Sequence, residues 1–284
     1  MNSFSFENQA GIVERYPDIF RPDWWHRAKI AIGIGGAGAL FLFGMVQLDI
    51  PFHRLSNGMV RLGEFVRLMV PPNPGSWAEV LKYLHALGET VSIAFLGTLG
   101  GALLALPVSL LAARNVVANR IVHVLARRSL DTIRGVDTLI WALIWVGVVG
   151  LGPFAGILAV ICSDFGTFGK LFSEAIEAAD KNPAEGVRSS GGNHLHSVRF
   201  GLLPQVFPIL LSQVLYYFES NTRSATIIGI VGAGGIGLQL AEQIRVLEWQ
   251  KVSFLILLIM MTVSAIDWIS SKLRFAIIGQ RPIA

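Results

Sequence analysis

Glu219, Asn221 and Arg223 stand between two uncharged runs, Phe200–Phe218 and Ser224–Ala241. Ionisable side chains in such surroundings need a partner or a wet cavity, and by default they mark pathways for ions or substrates. At 100° per residue, Ser212, Tyr216, Glu219, Arg223 and Thr226 fall within an arc of about 80° on one helix face. Glu219 precedes Arg223 by four residues, the favourable order for an ion pair. Two chemistries fit these residues, which with Asn221 form the candidate pathway. One is a structural pair holding two helices together; the other is a pore lining in which Arg223 meets an anion.

Other chemistry-bearing residues are sparser. Asp131, Arg134 and Asp137, spaced by three, make a charged face that reads equally as a solvated helix end or a gate. GAGGIG contains a formal GxGxxG at Gly232, Gly234 and Gly237, but a whole membrane span precedes it rather than a strand of a βαβ unit. A tight turn or re-entrant bend at the outer surface is expected instead, with Gly232, Gly234, Gly235 and Gly237 as candidate gate residues. His194 and His196 point to different faces of a helix and have no third ligand near in sequence, so no metal is expected. No GxxxxGK[ST] occurs, so this chain does not itself hydrolyse ATP by a P-loop mechanism.

The composition says what must position these residues. Of 284 residues 53% are hydrophobic and 15% charged, with a mean hydropathy of +0.58. Soluble domains carry nearer a quarter charged residues, so the apolar excess needs a lipid solvent. Uncharged runs cover Ile30–Leu48, Thr90–Ala113, Thr138–Ser163, Phe200–Phe218, Ser224–Ala241 and Val252–Ile266. Most reach the roughly 18 to 20 residues that cross a bilayer as a helix. The expectation is an all-α, polytopic membrane protein with six transmembrane helices, of which the first remains in the mature chain. Cys162 alone excludes an intramolecular disulfide. The net charge of +4 does not imply nucleic acid, because the basic residues sit at span ends, where they set orientation.

Taken in order, Trp24, Trp25, Arg27 and Lys29 precede the first span, and an amphipathic helix around Leu55–Met69 comes after it, ended by Pro71, Pro72 and Pro74. The second span covers about Leu87–Ala113, and the third Val136–Val149 with an extension back toward Ile121. The fourth covers Phe154–Ala178, the fifth opens at Pro204 and Pro208, and the sixth runs from Val252 to about Ile269. Residues 1–85 thus form an amino-terminal segment and residues 86–284 the membrane core. Lys and Arg number 15 in the segments assigned to the inside and 6 in those assigned to the outside, which puts both termini in the cytoplasm.

The same count puts a polar island, Asn182–Pro204, in the cytoplasm. It reads as two short helices. Asn182 caps the first, Glu185 stands at the reciprocal capping position, and Gly191 and Gly192 end it. Asn193 caps the second, which stops before Pro204. A compact hairpin of this kind suggests a docking element.

The island resembles the cytoplasmic EAA loop of ABC importer permeases. Glu185, Gly186 and Val187 stand at its Glu-Ala-Ala, Gly191 at its glycine, and Leu203 and Pro204 at the Leu-Pro pair ending thirteen residues beyond. The run RFGLLPQ from Arg199 to Gln205, then Phe218, Glu219, Asn221, Arg223, Ala225, Thr226 and GAGGIG, is similar to the phosphonate-type permeases. LPVSLLAARN and VGLGPFAG extend the likeness to nearly all of the chain beyond residue 85. The resemblance implies a type I ABC importer fold in the bacterial inner membrane. It implies two copies of this permease, two ATPase subunits that hold the ATP and Mg and dock on the loops through Asn182, Glu185, Gly186, Gly191, Leu203 and Pro204, and a periplasmic binding protein. This chain would bind no cofactor, and the cargo would be a phosphonate or related phosphorus oxyanion. A secondary transporter or channel would use the same polar stripe without ATP, whereas an enzyme would need a convergent site that the scattered histidines do not supply.

Overall fold

The computed structural model describes residues 24–48, 52–117 and 119–278. The two termini, expected in the cytoplasm, lie outside the described residues. Packing divides the chain into two compact units, one up to Glu64 and one from Phe65 onward. The first holds helix α1, Trp24–Gln47, whose described side chains are mostly exposed, and most of α2, Phe52–Met69.

The second unit is built on α3, Trp77–Ala112. Its 36 residues extend about 54 Å at 1.5 Å per residue, well beyond a 30 Å hydrocarbon core. The expected start at Leu87 is ten residues late, because the helix begins with a capping box rather than with the apolar run. Ser76 Oγ accepts from Glu79 N, and Glu79 Oε2 accepts from Ser76 N at 2.8 Å. Lys251 Nζ then donates to Glu79 Oε1 at 2.6 Å, tying this end of α3 to α11, Trp249–Ile278.

Along its middle, α3 packs against α6, Pro153–Glu177, through glycines. Gly97 faces Val160, Gly100 faces Ile161 and Gly101 faces Asp164. Lipid supplies no hydrophobic drive between helices, so close backbone approach at small residues is what makes such a pair. Helix α9, Leu203–Ile230, completes the junction. Asn221 Nδ2 donates to Thr98 Oγ1 at 2.8 Å and to Asp164 Oδ2 at 2.6 Å, and all three side chains are buried. Three helices are thus joined by polar groups that would otherwise be orphaned in an apolar interior. Below this point Phe168, Phe172 and Ile176 of α6 pack on Val206 and Leu210 of α9.

The expected third span is a broken one. Helices α4, Arg120–Arg134, and α5, Thr138–Val149, meet at 84°. Gly135 N donates to the Asp131 and Thr132 carbonyls, and Asp137 Oδ1 accepts from Leu139 N at 2.8 Å, so both helix ends exposed by the break are satisfied. The pair lies along α6 in the opposite sense, with Leu130 on Gly169 and Thr138 bonded to Ser163. Among the described residues five helices are long and apolar enough to span a membrane, and the bent pair counts as a sixth when taken as one span.

Substitutions at two points test this packing. A Cβ on Gly97 would lie 2.6 Å from Val160 Cγ1, whereas one on Gly88 would meet nothing within 4 Å. Gly97→Ala is expected to destabilise the purified protein by about 1–3 kcal/mol, read as a lower thermal midpoint in detergent, while Gly88→Ala leaves the midpoint unchanged or raises it. Asn221→Leu should lose about 1–2 kcal/mol, and Asp164→Leu in the same chain should recover part of that loss, since the cycle removes both members of the bond.

Candidate functional site

The polar island continues directly from α6. Helix α7, Asn182–Ser189, is exposed along Asn182, Glu185 and Gly186. Asn182 is not its cap. The N-cap is Lys181, which makes no side-chain bond there, and Asn182 is itself held by Asp180, whose Oδ1 accepts from Asn182 N at 3.1 Å. An aspartate two residues upstream captures the amide first, an Asx turn that the cap reading overlooked. The helix ends as expected at Gly191, with φ at +86°, and Gly192 N donates to the Val187 carbonyl at 3.0 Å.

Asn193 caps the next helical turn, its Oδ1 accepting from His196 N at 2.9 Å. The second helix does not stop before Pro204, however. The short turn α8, His194–His196, passes into a π-helical stretch, Ser197–Leu202, and that into α9. Pro204 lies in the first turn of α9, where a missing N–H is tolerated. The hairpin closes on Gly201, where a Cβ would sit 2.6 Å from Ala184 Cα, and Ser197 Oγ donates to the Ala184 carbonyl at 2.9 Å. Leu203 is half-buried beside it and Pro204 is exposed.

The hairpin is anchored to the α3–α4 elbow. His194 Nε2 donates to the Val116 carbonyl at 2.7 Å, which leaves Nδ1 to accept from Arg188 Nη2 at 3.1 Å. Asn115 Nδ2 donates to the Ile176 carbonyl, and Glu177 accepts from Arg114 N at 2.9 Å and from Arg127 Nη1 at 3.2 Å. Charge-assisted bonds therefore gather the ends of α3, α4 and α6 at the root of the hairpin.

The stripe on α9 is divided by α11. Ser212 and Glu219 are buried, Thr226 is half-buried, and Tyr216 and Arg223 are exposed. Glu219 is paired twice. Arg223 Nη1 lies 3.3 Å from Oε1, and Arg274 of α11 donates from both Nη1 and Nη2 to Oε2 at 3.4 Å. The Arg274 guanidinium also stands 5.6 Å from the centre of the Tyr216 ring. Asn221 is on the opposite face of α9, in the three-helix junction. Two partners were missed from sequence. Asp164 was visible as an acid interrupting an apolar run, whereas no spacing in the sequence connects Arg274 with Glu219.

Of the other candidates, Asp131 accepts from Lys170 Nζ at 2.9 Å and stands 3.6 Å from Arg128, while Arg134 is exposed. GAGGIG is a turn, but it is not at the surface: residues 232–237 are all buried. Gly232, Gly234 and Gly235 have positive φ. Gly152 N donates to the Gly232 carbonyl, Glu89 Oε2 accepts from Gly235 N, and Thr90 Oγ1 accepts from Ile236 N. The turn is buried because Glu89 and Thr90 of α3, with Leu151 just before α6 and Pro153 at its start, close over it, and α10, Ile236–Arg245, follows it and packs on α9. Gly237 approaches the Thr226 carbonyl too closely for any side chain. Among the described residues no group of three or more His, Cys, Asp or Glu could hold a metal ion.

Comparison with known proteins places this geometry. Residues 105–271 match the model of the family described as binding-protein-dependent transport system inner membrane component. The phosphite transport system permease protein PtxC of Stutzerimonas stutzeri is 32% identical over 275 residues, covering 96% of this chain and 98% of that one. The phosphate-import permease protein PhnE of Mycolicibacterium smegmatis is 39% identical over 216 residues, 75% of this chain and 40% of the relative. Among solved structures, the inward-facing MetNI methionine ABC transporter matches in fold with a TM-score of 0.63 at 20% identity, over 72% of this chain and 99% of that one. The overall fold is therefore a known one, and the chain belongs to the family of inner membrane components of binding-protein-dependent transport systems, the permeases of ABC importers.

Proposed function

We propose that this permease carries a phosphorus oxyanion, a phosphonate or phosphite or a related phosphate ester, from a periplasmic binding protein into the cytoplasm, driven by ATP hydrolysed on separate ATPase subunits. The observation that carries the reading is the hairpin: exposed at its tip, folded on itself at Gly201, and continuous with α6 and α9. The names of the relatives supply the class of cargo.

In this reading two copies of the chain form the path, two ATPases holding ATP and Mg dock on the hairpins, and both termini face the cytoplasm. Asn182, Glu185, Gly186 and Gly191 form the docking surface, and Leu203 and Pro204 pass its displacement into α9. Because α6 and α9 are bonded at Asp164 and Asn221, movement of the hairpin turns the two helices together. Ser212, Tyr216, Glu219, Arg223 and Thr226 line the path, with Asn221 behind them. Asp131 and Arg134 stand at the inner mouth, and the Gly232–Gly237 turn is the outer constriction.

The test is ATP hydrolysis by the assembled complex, stimulated by loaded binding protein. Glu185→Lys reverses a charge on the exposed face, and Gly191→Asp replaces a residue at φ +86°. Each should abolish the stimulation while the chain still inserts in the membrane. Wild-type stimulation in both variants would overturn the docking role.

A further inference from the structure

Glu219 holds two arginines although one would neutralise it. The three groups sum to one positive charge in a part of α9 that is otherwise uncharged. The two cations are held differently. Arg274 is the more enclosed, its side chain 23% exposed, with both terminal nitrogens on Oε2 and its plane beside Tyr216. Arg223 is 53% exposed, with Nη1 standing 3.3 Å from Glu219 Oε1. A guanidinium has five N–H donors, and the exposed side chain of Arg223 has room to offer some of them to a further acceptor.

We infer that Arg223 is the cargo-binding group for a small oxyanion and that Arg274 makes this possible by compensating Glu219. A buried carboxylate stripped of its only partner is strongly unfavourable, and with Arg223 as sole partner the arginine would be confined to Glu219. With Arg274 in place, Arg223 swings to an anion without leaving Glu219 uncompensated. A forked guanidinium suits the paired oxygens of a phosphorus oxyanion. Arg274 is then a positioning residue, one helix away from the cargo contact. The inference rests on the oxyanion importer reading and gives its path a binding site.

The experiment uses proteoliposomes holding the assembled complex, supplied with loaded binding protein and ATP, and measures uptake of phosphite, methylphosphonate and inorganic phosphate per ATP hydrolysed. Arg223→Gln should lower that ratio at least about tenfold, the scale of one lost charge-assisted contact. Arg274→Gln should lower it comparably although Arg223 is untouched, and adding Glu219→Gln to Arg274→Gln should restore it by releasing Arg223. If Arg223→Gln does not yield an assembled complex, the Arg274 pair of variants decides alone. A purely structural clasp between α9 and α11 predicts otherwise: Arg223→Gln would keep the wild-type ratio, and Arg274→Gln would lower uptake and hydrolysis in proportion. Either result overturns the site. Failure of the wild-type complex to take up any of the three anions would instead contradict the importer reading.

Discussion

A polar side chain inside a membrane bundle must find its partners within the protein, and here that constraint joins three residues on three helices. Asn221 gives its amide hydrogens to Thr98 and Asp164, so α3, α6 and α9 meet at one buried point. The glycines at 97, 100 and 101 allow α3 to approach α6 closely enough for this to occur. The rest of the core is arranged around that junction. The bent pair α4 and α5 lies along α6, the buried glycine turn is braced against α3, and Arg274 of α11 reaches Glu219 on the charged stripe of α9.

The junction also ties together the two helices that flank the polar hairpin. Helix α6 leads into the hairpin and α9 leads out, and they are bonded to each other some 13 residues before Glu177 and 18 residues after Leu203. At 1.5 Å per residue these are arms of roughly 20 and 27 Å. Gly201 packed on Ala184, and His194 bonded to the α3–α4 elbow, remove slack at the hairpin end. In the proposed coupling, a displacement imposed there would be carried as rotation of this packed pair. The glycine turn at the far end of α9 lies on the same lever.

Much of this was legible in the sequence because membrane helices obey a strong rule. Apolar length gave the spans, and the glycine at 191 with the cap at Asn193 gave the outline of the hairpin. The failures have physical reasons. Ser76 and Glu79 start α3 ahead of its apolar run, so a reading by hydropathy began it late. Asp180 took the amide expected to belong to the Asn182 cap, and a π-helical stretch carried the second hairpin helix through Pro204. The Glu219–Arg223 pair was evident from helical spacing, but Arg274 reaches Glu219 from 55 residues away. Such a contact is set by how helices pack, which periodicity does not encode.

The role proposed for the hairpin is to couple this path to an ATPase. Its most direct test is accumulation of phosphite or methylphosphonate in proteoliposomes that hold the permease with its ATPase and binding-protein partners, measured with ATP and with a non-hydrolysable analogue. Coupling of this kind predicts uptake above the external concentration only when ATP is hydrolysed. Equal uptake with the analogue, running down the concentration gradient, would contradict it and make the path a channel or secondary transporter.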